Sequence, residues 1–468
     1  MKQTIPSHRW MVPAGAVTAW IVGAAVLWLA MSDGGKVAAK SEAAATAARE
    51  RPPGPGRRDP KGRAKARELA SLAEGRRVRA VWTEDGALQG GDAFATGTNL
   101  RLVGFGSHDG GHRVILGERR NYSRPLLTPD GGGIVYSDKN VTLVGRKRHF
   151  QPTMHVVDWS GRNRRLLGEG FAVDVAKDPE TGATWVYALE TLTAGNSASL
   201  SGTRLVRFPL QAPESRELLW DETPLGIDNL QFGRSGRRFA GLFPWPEAGW
   251  ADHASGSWHK VGEGGCWVSM APDDSELVAM FAGSHTRLTV FDIGARKSWR
   301  VPLMEAPGVK GFQVYHPRWA NHPRFLAITG PYPPPRTTDP PAGPTPIHNS
   351  GHHADVFIGK FSPSLDRVEG WVRLSKNRVG DFYPDVWVEG GDDVSLTRFP
   401  QHDGRRPANP GRPNGAARPG PLDEAPSSAA IGSPRPKSTR TLNPALLAAT
   451  SRRSDIAPAK NPAFSFFR

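Results

Sequence analysis

The sequence predicts an all-β protein, built as a β-propeller of about six four-stranded blades, with seven blades as the alternative. Three observations support this fold class. The 468 residues include 53 Gly, 42 Pro and 15 Trp, which is typical of many short strands joined by turns. A Pro-Asp turn that leads into an apolar strand recurs along the chain, and segments that read strand–turn–strand lie between its copies.

The best-preserved turn is TPDGGGIVY at 128–136, where Pro presets φ, Asp can bond its own backbone and Gly accepts a positive φ. APDDSELVAM at 271–280 keeps the same order, and weaker copies lie at 177–189, 233–242 and 321–329. A spacing of about 40 to 55 residues between turns is the period of propeller blades. We therefore expect this turn to join the two inner strands of a blade, with Asp130 serving turn chemistry.

The outer two strands of the blades are predicted from the segments between the turns, at 100–116, 154–167, 204–220, 287–303 and 356–374. Blades should begin near residues 122, 170, 226, 264 and 312, and a sixth should be split across the chain. Its innermost strand would come from DFYPDVWVEG at 381–390, and its other strands from VRAVWTED, LRLVGFG and HRVIL. Such a join removes an exposed strand edge. Residues 137–154 and 243–263 leave room for a seventh blade.

The two well-preserved turns resemble the WD40-like (PD40) repeat of TolB-type β-propellers, whose signature is a Ser/Thr/Ala-Pro-Asp-Gly turn that enters a short strand. The phrases YHPRWANHPRFLAITGPY and DFYPDVWV are similar to those of uncharacterised membrane-anchored propeller proteins of bacteria. The resemblance implies a propeller on the periplasmic, extracytoplasmic side of the bacterial cell membrane. It implies no particular activity.

The N-terminal region suggests a single membrane anchor. After a short tail at 1–9, residues 10–31 carry no charge and are long enough to span a bilayer, with Trp10 and Trp28 near the ends. We expect a transmembrane helix or signal anchor there, with a cleavable signal peptide as the alternative. Lys and Arg occur on both sides of the span, so charge does not fix its orientation.

The remaining organisation follows from composition. We expect residues 32–77 to form an Ala/Pro/Arg-rich linker, residues 78–396 the propeller, and residues 397–468 a disordered basic Pro/Arg-rich tail. The composition of the tail is also typical of an off-frame translation of GC-rich coding sequence, which is the alternative interpretation of this segment. The net charge is +15, of which 1–50 carry +2, 51–79 carry +7 and 397–468 carry +8, leaving −2 for 80–396. Because the propeller itself is nearly neutral, we expect no specific nucleic-acid binding.

The motifs of several enzyme classes are missing. There is no Gly-x-Ser-x-Gly elbow, no Gly-x-Gly-x-x-Gly after a strand and no phosphate-binding P-loop. The single cysteine, Cys266, excludes an intramolecular disulfide and a cysteine zinc site, and its apolar surroundings predict a buried, inert thiol. We expect no catalytic residue, cofactor or metal. The cluster His348, His352, His353 and Asp355 is read as a surface loop, with a metal site as the alternative.

Five residues are weak candidates for ligand binding: His316, Trp319, His322, Asp381 and Asp385. They would lie near the channel mouth, at loops that enter the inner strands. The competing interpretation is structural, with Trp319 filling a gap between blades, His316 bonding a backbone carbonyl and the aspartates bonding loop amides.

The function that best fits these observations is a non-catalytic binding or scaffold protein of the bacterial cell envelope, which recognises protein or polysaccharide through a propeller face. Its membrane partner would be contacted through the N-terminal helix. The alternative is a propeller hydrolase or lyase acting on envelope glycans, for which Asp381, Asp385, His316 and His322 would be the candidates. A third hypothesis is that the chain is a sensor or partner domain whose natural C-terminal region is missing. Fold alone separates none of these.

Overall fold

The computed structural model describes residues 60–86, 99–144, 147–194, 200–244, 246–262, 264–283, 285–333, 353–377 and 379–396. This part of the chain contains one α-helix, α1 (Pro60–Leu72), and strands that form antiparallel sheets. The strands are β1 (Val78–Asp85), β2 (Leu100–Gly106), β3 (Gly111–Arg120), β4 (Tyr122–Leu127), β5 (Gly133–Asp138), β6 (Val141–Val144), β7 (Lys147–Phe150), β8 (Thr153–Asp158), β9 (Arg165–Glu169), β10 (Phe171–Lys177), β11 (Thr184–Ala194), β12 (Leu200–Pro209), β13 (Glu217–Trp220), β14 (Leu225–Gly226), β15 (Gln231–Phe232), β16 (Arg238–Leu242), β17 (Ala248–Asp252), β18 (Ser257–Lys260), β19 (Cys266–Met270), β20 (Leu277–Phe281), β21 (Arg287–Asp292), β22 (Lys297–Pro302), β23 (Gln313–Trp319), β24 (Phe325–Tyr332), β25 (Asp355–Phe361), β26 (Val368–Arg373) and β27 (Gly380–Val388).

The described strands build six blades. From the axis outwards, the blades run β27-β1-β2-β3, β4-β5-β8-β9, β10-β11-β12-β13, β15-β16-β17-β18, β19-β20-β21-β22 and β23-β24-β25-β26. We number them one to six in that order. Strand β14 adds a short pairing to β12, and β6 and β7 form a separate hairpin.

The ring is closed by blade one, which takes its innermost strand from the far end of the propeller sequence. Strand β27 pairs with β1, with Val78 opposite Val388 and Asp85 opposite Gly380. Each innermost strand contacts that of the next blade, and β23 of blade six contacts β27. The six-blade prediction, including the split blade, is confirmed. The seven-blade alternative is wrong, because 137–154 holds the β6–β7 hairpin and 243–263 holds β17 and β18.

The Pro-Asp-Gly turn joins β4 to β5, the two inner strands of blade two, as the sequence predicts. The Asp130 carboxylate accepts a hydrogen bond from the Gly132 backbone N–H at 2.8 Å, and the Thr128 backbone N–H donates to the Gly133 carbonyl at 2.9 Å. Gly131 has a φ of 65°, which glycine adopts without strain. Trp387 Nε1 of blade one donates to the Pro129 carbonyl at 2.6 Å, so the turn also packs on a neighbouring blade.

The hydrophobic core consists of apolar layers between facing sheets. One layer between blades two and three contains Leu126, Met154 and Val186. Another, between blades four and five, contains Ala240 and Met270. The inner strands are covered on both faces, and all six residues of β4 are buried, including Ser123 and Arg124.

Helix α1 was not expected from the sequence, which predicted a linker throughout 32–77. Ala66 and Leu69 are buried in the layer that blades six and one share, together with Trp82 and Phe325. The helix begins at Pro60, a residue that suits the first helical position, and the Gly75 N–H bonds the Ala70 carbonyl after its end. The structural reason for the difference is burial of a small apolar stripe against the propeller, which outweighs the neighbouring Pro-Gly composition.

The predicted anchor at 10–31 and the predicted disordered tail at 397–468 lie outside the described residues. Within the described residues, no helix is long and apolar enough to cross a membrane.

Candidate ligand-binding site on the propeller axis

A shared irregularity turns side chains of the innermost strands towards the axis. Five non-glycine residues, one in each of five blades, have a positive φ between 45° and 58°. They are Arg124 in β4, Asn229 just before β15, Trp267 in β19, His316 in β23 and Tyr383 in β27. In the four cases inside a strand, the register with the second strand is interrupted at this point. Such bulges re-aim side chains, at a cost of about 1–3 kcal/mol for each strained residue.

These five residues, which we call the axial ring, contact one another across the channel. The His316 ring centroid lies 4.6 Å from that of Trp267 and 4.5 Å from that of Tyr383. The guanidinium of Arg124 lies over the Tyr383 ring, 5.4 Å from its centroid. Asn229 donates from Nδ2 to the carbonyls of Trp267, at 3.1 Å, and of Pro317, at 2.6 Å. The axial ring therefore fills this level of the channel with side chains.

An ionic layer follows along the axis and is centred on Arg318 of β23. Its Nε donates to Asp385 of blade one at 2.8 Å, and its Nη2 donates to Asp174 of blade three at 2.7 Å. Each carboxylate also accepts a backbone N–H from the following blade: Asp385 from Leu127 and Asp174 from Phe232, both at 2.8 Å. The layer thus ties together blades six, one, two, three and four.

Burial governs the protonation of this layer. It raises the pKa of Asp174 to about 6, against the opposing effect of Arg318. Burial also raises the pKa of Asp385, again opposed by Arg318. In the axial ring, burial and the nearby Arg124 charge lower the pKa of His316 well below its usual value. His316 is therefore neutral at physiological pH, while the Asp174 carboxyl, with a pKa of about 6, titrates somewhat below physiological pH.

Beyond the ionic layer the axis opens into a cavity of about 300 Å³. It lies at the end where the innermost strands run into the turns that lead to the second strands. Asp174, Arg318 and Asp385 line its floor, and the walls include Phe232, Trp319 and Trp387 as well as prolines 129, 179 and 272. A few convergent polar groups among apolar walls are typical of small-molecule sites, and about 300 Å³ is the lower end of their usual size.

The rim of the cavity is formed partly by the segment that follows β27. Its short 3₁₀ helix, Gly391–Asp393, contributes Asp392 to the lining, and the Asp392 carboxylate accepts a hydrogen bond from Asn321 Nδ2 at 2.9 Å. Further along, Leu396 N–H donates to Asp273 Oδ2 at 2.6 Å. Lys177 and Arg234 also line the cavity, so both charge signs surround its mouth.

Four buried polar atoms on residues that line the cavity have no hydrogen-bond partner within the described part of the chain: Arg318 Nη1, Gln231 Oε1, Trp319 Nε1 and Arg234 Nε. Arg318 is 8% exposed and Gln231 is 5% exposed. The Gln231 amide is oriented by its Nε2, which donates to the Trp319 carbonyl at 3.0 Å, so its oxygen is the free end. A buried unpaired donor or acceptor costs about 1–3 kcal/mol, and these atoms are enclosed by the protein and not open to the cavity.

Of the five residues proposed from sequence, the structure brings three to the axis. Asp385 belongs to the ionic layer and Trp319 to the cavity wall, and His316 belongs to the axial ring. His316 and Trp319 lie within strand β23, where the sequence interpretation placed them at entering loops. His316 pairs through Nδ1 with the Thr329 hydroxyl at 2.7 Å, where a backbone carbonyl was the expected partner under the structural interpretation.

The other two candidates lie away from the cavity. His322 sits in the turn after β23, where its Nδ1 accepts the Arg324 backbone N–H at 3.1 Å, and burial lowers its pKa to about 4. Asp381, at the start of β27, accepts hydrogen bonds from Trp82 Nε1 at 2.8 Å and from Asn377 Nδ2 at 3.1 Å. Both side chains therefore hold strands and turns in place.

Asp355 and Cys266, two further sequence candidates, have structural partners. Within the described residues, no group of three or more His, Cys, Asp or Glu is placed to hold a metal ion. His348 and His352 lie outside those residues, and Asp355 is buried at the start of β25, where it pairs with Arg373. The Cys266 sulfur lies 3.0 Å from His285 Nε2, and burial raises the thiol pKa to about 12. The side chain is half-buried, where the sequence predicted a buried thiol, and it is protonated near neutral pH.

Sequence reasoning missed Asp174, Gln231 and most of the axial ring. A signal for the ring was present, because Arg124, His316 and Tyr383 each precede a proline inside an apolar strand. Proline lacks an N–H and so marks a bulge there. The sequence also contains a signal for Asp174, since a carboxylate within the apolar segment FAVDVA needs a buried partner. Gln231 gave no such signal.

Comparisons with known proteins concern the fold. No protein-family model matches the chain, and the search of curated proteins gave no significant match. Among solved structures, TolB from Acinetobacter baumannii matches at 14% identity and a TM-score of 0.42, over 68% of each chain. A structure named for TolB of Agrobacterium tumefaciens matches at 12% identity and 0.39, over 68% of this chain and 95% of that one.

An oligogalacturonate lyase in complex with manganese matches at 16% identity and a TM-score of 0.27, over 41% of this chain and 53% of its own. At these identities and TM-scores, none of the matches bears on activity. The architecture rests on the order of the sheets and on the closed ring of innermost strands. The chain is a six-bladed β-propeller that resembles TolB-type propellers.

Proposed function

We propose that this chain is a non-catalytic binding protein of the bacterial cell envelope that recognises its partner through the propeller face carrying the axial cavity. The observation that carries the proposal is the cavity itself, which has aromatic walls and charged side chains of both signs at its mouth. A face built from six blades offers a rigid frame for such recognition. The envelope location rests on the predicted anchor at 10–31 and on the resemblance to membrane-anchored propellers.

The charged groups of the site support binding over catalysis. Asp385 is engaged on both oxygens, by Arg318 Nε and by the Leu127 N–H. Asp174 is engaged by Arg318, by the Phe232 N–H and by the Val175 N–H at 3.0 Å. A glycosidase needs one carboxyl free to donate a proton and another free to attack or activate water. Here both carboxylates are used to hold neighbouring blades together.

The test uses the full-length protein in detergent, incubated with isolated cell-wall sacculi and with envelope extract. We expect retention on one of these materials without release of soluble glycan fragments. The variant Gln231→Met should weaken retention, whereas Gln313→Met, which alters a partly exposed glutamine of β23 that is no part of the cavity lining, should not. Glycan release that is abolished by Asp385→Asn in a folded variant would overturn the proposal in favour of the hydrolase or lyase. No retention on any material would overturn it as well.

A further inference from the structure

The chain leaves the ring of blades directly after β27, at residues 391–396, which we call the strap. All nine residues of β27 are buried, and the strand pairs with β1. Gly390 then has a φ of 65°, which glycine adopts without strain. The strap consists of the short 3₁₀ helix and three residues that belong to no strand. It is therefore a separate element, joined to the rigid ring at a glycine.

Two turns on the cavity side of the propeller hold the two ends of the strap. Asn321, between β23 and β24 of blade six, donates to the Asp392 carboxylate at 2.9 Å. Asp273, between β19 and β20 of blade five, accepts the Leu396 N–H at 2.6 Å. The Leu396 side chain is half-buried and packs against the hydrophobic cluster that contains Trp319. The strap thus runs from blade one past blade six to blade five.

A third attachment comes from Arg234, between β15 and β16 of blade four. Its Nη1 donates to Ser395 Oγ at 3.1 Å, and its Nη2 donates to the Val394 carbonyl. Asp393 and Ser395 are exposed, and Val394 is half-buried. An element with few apolar contacts and solvent-exposed hydrogen bonds opens at a lower free energy than a core strand. The strap should therefore be able to open while the six blades stay folded.

The strap sets the charge balance of the cavity. Three cationic and four acidic side chains line the cavity, and two of the acids, Asp392 and Asp393, belong to the strap. Burial raises the pKa of Asp392, and the charge of Lys177 in blade three opposes that rise, so the strap and blade three interact electrostatically. If the strap opens, three cationic side chains remain against two acidic ones. The open cavity therefore favours an anion over a neutral or cationic group.

We propose that the strap closes the axial cavity in the free protein, and that a partner carrying a carboxylate displaces the strap when it binds. This inference rests on the proposed binding function and adds the chemistry of the partner and the regulation of the same site. The partner's carboxylate takes the place of the Ser395 hydroxyl and the Val394 carbonyl on the Arg234 guanidinium, whose planar fork matches a carboxylate. Lys177 supplies a second positive charge at the mouth.

The closed strap acts as an internal competitor for these groups. Its backbone and hydroxyl oxygens occupy the Arg234 guanidinium, and the Asp392 and Asp393 carboxylates repel an incoming anion. The floor of the cavity is not altered by opening, because Arg318 remains bound to its two aspartates. Binding and strap opening are therefore coupled, so each should strengthen the other.

The coupling can be tested with a variant that weakens the strap without changing any charge. Ser395→Ala combined with Leu396→Ala, the strap variant, removes one hydrogen bond to Arg234 and the apolar contact of the strap. The matched control is Ser255→Ala combined with Leu218→Ala, which alters an exposed serine and an exposed leucine that are no part of the cavity lining.

The first measurement is hydrogen–deuterium exchange of the full-length protein in detergent, followed by mass spectrometry. The backbone amides of the strap should exchange at least about tenfold faster in the strap variant than in the unaltered protein or the control. The amides of β27 should be unchanged in all three proteins, which also checks that the variants are folded.

The second measurement is calorimetric titration with two matched pairs of probes. Glucuronate and glucose differ in a carboxylate on a sugar, and N-acetylglutamate amide and N-acetylglutamine amide differ in a carboxylate on an amino acid. We expect one of the carboxylates to bind at least about tenfold more tightly than its neutral counterpart, and the pair that shows the preference identifies a sugar or a peptide as its source. The strap variant should bind that carboxylate more tightly than the unaltered protein does, and the control should not.

The same probe should accelerate exchange of the strap amides in the unaltered protein, because a bound partner holds the strap open. Slower exchange on binding would overturn the proposal, since the strap would then be part of the bound complex. Unchanged exchange, equal affinity in the strap variant, or equal binding of carboxylate and neutral probes would also overturn it, and retention on sacculi or envelope extract would leave the binding role standing. If no probe binds and nothing retains the protein, both proposals fall.

Discussion

Replacing Arg318 with methionine should cost the propeller about 3–5 kcal/mol of its free energy of unfolding at pH 8, because it breaks a buried ion pair by removing one partner. The side chains of Arg318, Asp174 and Asp385 are 8%, 7% and 11% exposed. Each of the two hydrogen bonds from Arg318 involves charged groups and contributes about 1.5–3 kcal/mol. Their sum, about 3–6 kcal/mol, agrees with the cost expected for an uncompensated buried charge.

The loss should depend on pH in a defined direction. Without Arg318, the folded-state pKa values of Asp174 and Asp385 rise further above their unfolded values. A carboxyl with a raised folded pKa stabilises the fold below its unfolded pKa, and that contribution is lost as pH rises through the folded pKa. The deficit of Arg318→Met relative to the unaltered protein should therefore be smallest near pH 4 and largest near pH 8.

The assay is urea denaturation followed by tryptophan fluorescence, with Arg367→Met as the control. Arg367 is 58% exposed and pairs with Asp366 and Glu369 at the surface, so its loss should cost at most about 1 kcal/mol. Adding Asp174→Asn and Asp385→Asn to Arg318→Met should restore at least half of the lost stability, because no unpaired charge then remains. A deficit below about 1 kcal/mol at pH 8, or equal losses in both arginine variants, would refute the reasoning.

Three further outcomes are expected. Gly131→Ala should destabilise the fold by about 1–3 kcal/mol more than Gly110→Ala, as measured by urea denaturation. Both glycines have a positive φ, but only at Gly131 would a Cβ lie 2.6 Å from a neighbouring ring, that of Trp387. Equal losses in the two variants would contradict this prediction. Asp174→Asn should abolish a fall in stability of about 2 kcal/mol between pH 4 and pH 7, which follows from a folded pKa of about 6 against an unfolded 3.8. An unchanged pH profile in the variant would contradict this assignment. The Cys266 thiol should react far more slowly with a thiol reagent at pH 8 in the folded protein than in urea, because its pKa is raised to about 12 in the fold. Rapid labelling of the folded protein would instead show an activated thiol.

The fold was largely predictable because its repeating unit is local. A turn such as 128–136 depends on the backbone preferences of Pro, Asp and Gly within a few residues, so the sequence reports it directly. The split blade was predictable for a different reason: β1 needs a partner, and 381–390 was an apolar segment without one. Helix α1 was not predictable, because its stability comes from burying Ala66 and Leu69 on a surface that exists only in the folded propeller.

The candidate site was predicted only in part, because it depends on which residues meet across the axis. Asp385 was proposed from sequence, but its partner Arg318 lies 67 positions away and Asp174 lies 144 positions from Arg318. Nothing in the spacing of these residues indicates that three blades aim them at one point. Gln231 belongs to a two-residue strand, and no pattern in the sequence indicates that it lines the cavity.

The joining of β27 to β1 also sets an order on how the propeller can be made. During synthesis β1, the first strand of the ring to be made, must wait for its inner neighbour until Val388 has been added. Until then its apolar edge is open to pairing with other chains, which is a hazard for aggregation. The blade that begins first is thus the last to be completed, and the ring can close only after residues 78–388 have all been synthesised.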